Sequence, residues 1–161
     1  MSNPATPSHV LNDIASRPET YEYPSTTMAL AKHKNFSNHE FEKLTQSVVS
    51  AVGKDHSEHY GKGFALIGEH RPFALKHLNP LNLYHGYNNS RNLVDTPNAE
   101  ENIEKEMLRR APENDFFAKH VAKNSDNKER LLHIATSGAY SQEAADNATN
   151  RLKNKFGVKN V

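Results

Sequence analysis

Between Thr96 and Gly157 the chain alternates helix starts, apolar stripes and helix stops so regularly that packed helices are the one arrangement able to satisfy it. Thr96-Pro97 supplies an N-cap followed by proline at the first helical position, and Glu100, Glu101 and Glu104 crowd the positive end of the helix dipole. Ile103, Met107, Leu108 and Ala111 form the face this helix must bury. Pro112 predicts the start of a second helix, with Phe116, Phe117 and Val121 as its apolar load. Ser125 predicts the cap of a third, which carries Leu131, Leu132, Ile134 and Ala135 as far as Gly138. Ser141 predicts the cap of a fourth, where Ala144, Ala148, Leu152 and Phe156 recur at i, i+4 spacing until Gly157 stops it. Lys153, Lys155 and Lys159 gather at its negative end, where cations are favoured.

Upstream the signals thin out. Ser37-Asn38-His39-Glu40 has the form of a capping box, in which hydroxyl and carboxylate each satisfy a free backbone N–H. Phe41, Leu44, Val48 and Val49 then make one stripe, and Gly53 predicts its stop. Phe64-Ala65-Leu66-Ile67, bracketed by Gly61, Gly63 and Gly68, fits either a short buried strand or a helical turn, because periodicity does not separate the two over so short a run. Pro72 predicts a helix through Leu78 that Pro80 ends, and residues 81–89 then read as a surface loop tied down by Tyr84 and Tyr87. Residues 1–35 are rich in Pro, Ser and Thr and predict a flexible leader. The expectation is all-α: a leader over 1–35, five or six short helices around one core over 36–157, and a tail over 158–161.

The stretch Val121-Ala122-Lys123-Asn124-Ser125, Glu129-Arg130-Leu131-Leu132, Ile134-Ala135 and Ala144-Ala145-Asp146-Asn147-Ala148 resembles one cassette of the variant leucine-rich or HEAT-like helical repeats. The resemblance covers residues 121–152 and implies a binding scaffold without catalysis.

Composition narrows the function classes. Twenty Lys+Arg against nineteen Asp+Glu leave a formal charge of +1, which offers no overall attraction to nucleic acid or acidic lipid. Arg109-Arg110, Lys119, Lys123, Lys128, Arg130 and Arg151 are interleaved with Glu and Asp, so they make no nucleic-acid stripe. The absence of cysteine excludes disulfides, thiolate nucleophiles and Cys-ligated zinc. Hydrophobic residues are 35% of the chain, and no run approaches the length of a membrane span. The first residues lack the charged and apolar regions of a secretory signal. A cytoplasmic location, or export into a host cell without a classical signal peptide, is expected.

The richest polar constellation is Asp55-His56-Ser57-Glu58-His59, followed by Glu69-His70, His77 and His85. His56 and His59 share a helix face, and with Glu69, His70 and His77 they form the candidate set for a divalent metal; the established single-helix zinc signature, however, sets its histidines four apart. Gly61-Lys62-Gly63 lacks the Lys-Ser/Thr that a phosphate-binding loop needs after its second glycine, and no Gly-x-Ser-x-Gly elbow presents a nucleophile. The expected role is therefore non-catalytic protein–protein interaction without a cofactor, as an adaptor, regulator or exported bacterial effector. Tyr60, Phe73, Tyr84, His85 and Tyr87 are the candidate contact residues. A small metal-dependent protein or enzyme centred on residues 55–77 is the alternative.

Overall fold

The computed structural model describes residues 7, 9–11, 28–52, 60–92 and 96–161, and among them every regular element is helical. The α-helices are α1 (Asn38–Val52), α2 (Gly61–His70), α3 (Pro80–Ser90), α4 (Ala99–Arg109), α5 (Asp115–Asn124), α6 (Lys128–Thr136) and α7 (Gln142–Phe156). Two 3-10 segments, Ala29–Lys32 and Pro72–His77, accompany them. No helix among the described residues is long and apolar enough to cross a membrane. The contacts cluster into two compact units, Met1–Ile103 and Glu104–Val161.

In the first unit α2 is central. Gly61, Gly63 and everything from Phe64 to Gly68 are buried, so the ambiguous apolar run is a helix enclosed on all sides. Its main partner is α3, and it also packs on both 3-10 segments. The α2–α3 crossing is close at Gly61: a Cβ there would displace the Asn89 amide and come to 3.0 Å from the His85 carbonyl. α1 starts where expected, with the Glu40 N–H donating to Ser37 Oγ at 3.2 Å, and buries Phe41, Leu44 and Val48. The described part of the expected leader is packed as well, since Leu11, Met28 and Leu30 are fully buried.

The expected surface loop over 81–89 is instead α3. Pro72 opens a 3-10 helix that stops at His77, Leu78 and Asn79 take the extended backbone that precedes a proline, and Pro80 occupies the first turn of the next helix. The Asn82 N–H donates to Asn79 Oδ1 at 2.9 Å and the Asn79 N–H donates to Asn82 Oδ1 at 3.2 Å, a capping box built from two asparagines. The buried stripe is Asn82, Leu83, Gly86, Tyr87 and Ser90. Its helical period is hidden in the sequence because three of its five members are polar or glycine.

In the second unit α7 packs on both α5 and α6. It follows its sequence closely: the Ala144 N–H donates to Ser141 Oγ at 3.2 Å, Ala144, Ala148 and Leu152 are buried, and Gly157 closes the helix at φ 67°. Two starts fall later than expected. α5 begins at Asp115 after a turn over 110–113, which leaves Phe116 half exposed while Phe117, Ala118, Val121 and Ala122 go inward. α6 is capped by Asn127, not Ser125, because the Ser125 hydroxyl is already used: it donates to the buried Glu104 carboxylate at 2.9 Å and accepts from the Asn127 N–H.

Candidate functional site

Arg71 follows α2, precedes Pro72, and is 6% exposed. Its Nε donates to the Ala31 carbonyl at 3.2 Å, Nη1 to Asn38 Oδ1 at 2.5 Å, and Nη2 to the His33 and Phe36 carbonyls at 2.6 Å each. The guanidinium also lies 5.4 Å from the Phe41 ring centroid. Every one of these partners is neutral. A buried arginine usually meets a carboxylate, and here burial without one pushes its pKa down from the ordinary arginine value.

Beside this group opens a cleft of about 400 Å³, lined by Ala31, Lys32, Lys34, Asn38, His70, Arg71 and Phe73. No carboxylate is among them. Lys32, Lys34 and His70 are exposed, whereas Phe73 is half buried on the wall. Asn38 is the first residue of the 15-residue α1, so the positive end of that helix dipole adjoins the same space. Cations, a helix N-terminus and one aromatic face thus meet in a single concavity. Its chemistry suits an anionic group carried beside an apolar one.

Of the five candidate contact residues, one is buried and four reach the surface. Phe73 lines the cleft. Tyr60, just ahead of α2, is half buried; Tyr84 and His85 are half buried on α3, their rings edge to face at 5.1 Å. Tyr87 is fully buried, with Arg91 over its ring at 5.8 Å, so it serves the core and offers no contact surface. In the alternative metal set, His56 and His59 lie outside the described residues. Glu69 accepts from the Asn98 N–H at 2.6 Å and from Asn98 Nδ2 at 3.1 Å, which ties α2 to the start of α4. His77 Nε2 sits 3.2 Å from Glu42, and its Nδ1 lies 3.2 Å from the Gln46 amide. The hydrogen bond from His77, aided by Lys76, holds the Glu42 carboxyl below its usual range. Among the described residues no group of three or more His, Asp or Glu is placed to hold a metal ion.

Sequence reasoning missed Lys32, Lys34, Asn38 and Arg71. The two lysines fall in the expected leader, and no local signal marks Arg71, whose partners lie 33 to 40 positions away. No known protein family, curated protein or solved structure matches the chain.

Proposed function

We propose that this chain is a non-catalytic protein-interaction module that holds an acidic segment of a partner in the Arg71 cleft. The observation that carries this reading is the charge of the lining: Lys32, Lys34, His70 and the buried Arg71 all contribute to it, no lining residue is a carboxylate, and the half-buried Phe73 ring stands beside them. Charge complementarity supplies the attraction and steers the encounter, and an aromatic anchor supplies packing that charge alone does not. The resemblance of residues 121–152 to a helical-repeat cassette accords with a scaffold role. The reading applies equally to a cytoplasmic adaptor and to an exported effector, and an export assay on a chain lacking residues 1–30 separates those two.

A random peptide display selection against the immobilised protein tests the site. Wild-type protein enriches Asp/Glu-rich peptides that also carry an apolar residue. Lys32→Glu with Lys34→Glu abolishes that enrichment, and Phe73→Ala weakens it. Enrichment of uncharged or basic peptides, or equal recovery on the charge-reversed variant, rejects the reading.

A further inference from the structure

A second cleft, of about 230 Å³, lies in the second unit and is independent of the first. Lys123 of α5 lines it together with Asn147, Asn150, Arg151, Asn154 and Lys155 of α7. All six side chains are hydrogen-bond donors. Positions 147, 150/151 and 154 follow the i, i+3/4, i+7 spacing of one helix face, so the amides form a row about 10 Å long at the usual rise per residue.

Two features set this row apart from ordinary surface polarity. Asparagine is a poor helix former, yet three occupy one stripe in the middle and last turns of α7. None of the three side chains caps a helix end or bonds to a backbone group, and Asn147 Nδ2 is shut away from solvent with no acceptor among the described residues. With the asparagine carbonyl oxygens counted, the lining still offers more donors than acceptors. The cations point the same way: Arg151 and Lys155 share the single carboxylate of Asp126, and Lys123 has no ion-pair partner among the described residues. Arg151 is held in place by the Ser125 carbonyl at 2.7 Å and the Asn124 carbonyl at 3.0 Å, which fixes one wall.

We propose that this cleft binds a phosphoryl group, either as free phosphate or as a small-molecule monoester. Such a group brings three or more acceptor oxygens and about two negative charges near neutral pH, matching a surplus of donors and of positive charge. The volume is below that of a typical pocket for a drug-sized ligand, so it suits the group and not a large carrier.

The test is a titration of the ¹⁵N-labelled full chain with inorganic phosphate and separately with O-phosphoserine, at constant ionic strength and with acetate as control. The side-chain amide signals of Asn147, Asn150 and Asn154 are the readout. Saturable shifts with a Kd of about 1 mM or tighter are expected, weakened roughly tenfold by Lys123→Ala and by Asn154→Ala. Both positions are exposed, so those variants fold, and a thermal melt no lower than wild type confirms it. Binding of phosphate alone identifies the free ion; binding of phosphoserine at least as tightly identifies a monoester. Shifts that do not saturate, that acetate reproduces, or that persist unchanged in both variants overturn the proposal.

Discussion

Arg71 is the residue on which the first unit's cleft depends, and replacing it has a calculable cost. Arg71→Ala removes four hydrogen bonds from a charged donor. At about 1.5–3 kcal/mol each these would sum to more than a small unit's whole stability, but the guanidinium also gives up several kcal/mol of hydration on burial, which cancels much of that sum. The residual is better worked from what is left behind. The His33 carbonyl still accepts from the Phe36 N–H at 3.1 Å, while the Ala31 and Phe36 carbonyls each lose a charged donor. Two deprived acceptors at about 1–3 kcal/mol each, with lost packing of the stem on Phe41, give about 4 kcal/mol. Arg71→Lys keeps the charge but not the planar fork, retains one or two of the four bonds, and should lose about 2 kcal/mol. Because the chain has two units, urea denaturation should be followed by amide exchange in α2 and not by a global signal alone. A cost below about 1 kcal/mol for Arg71→Ala would mean that water replaces the arginine freely, and the picture of a dry, charged cleft wall would fail.

The remaining predictions concern both units. Gly61→Ala, though favoured by helix propensity, should destabilise α2 exchange by about 1–3 kcal/mol because Asn89 must leave its bond to the His85 carbonyl; a neutral or stabilising result rejects the close crossing. His33 is buried, and burial lowers its pKa, so the folded state favours the neutral ring. Its stabilising contribution is complete above the unfolded value near 6.5 and is lost as pH falls through the depressed folded value; the decline should shrink in His33→Gln, measured as denaturation midpoints across pH 5–8. Glu104 is 1% exposed and accepts from Ser125 Oγ at 2.9 Å and Arg130 Nη1 at 2.5 Å, so Glu104→Ala should cost about 3–5 kcal/mol in the second unit, read from exchange in α5 and α6. Asn150→Ala with Asn154→Ala should raise α7 stability by about 1 kcal/mol in total, since neither amide has a structural partner; a loss would show that the row serves the fold.

Legibility in the sequence followed how local each determinant is. α7 was readable nearly residue by residue because its cap, stripe and stop are all its own: Ser141, the Ala144/Ala148/Leu152 row and Gly157. The start and stripe of α1 were readable for the same reason, while its expected stop, Gly53, lies outside the described residues. α3 was not, because its stripe relies on Gly86, which is small so that α2 can approach; Pro80, read only as a helix stop, is also a helix start. The cap of α6 was misplaced where tertiary structure intervened. Glu69 from α2 caps the backbone ahead of α4, and Ser125 is drawn off by Glu104. The cleft lay beyond local reading altogether. Its members come from residues 31–38 and 70–73, and the feature that makes it a candidate, an arginine buried without a counter-charge, exists only once those segments meet.

The central claim is that charge in this cleft selects an acidic protein segment. Fluorescence anisotropy of a labelled Asp/Glu-rich peptide bearing one aromatic residue, titrated with the full chain at about 50 mM and about 500 mM salt, tests it most directly. Saturable binding that weakens strongly at the higher salt and disappears in Lys32→Glu with Lys34→Glu is the predicted result. Binding that ignores both salt and the charge reversal, or no binding at low salt, contradicts the account.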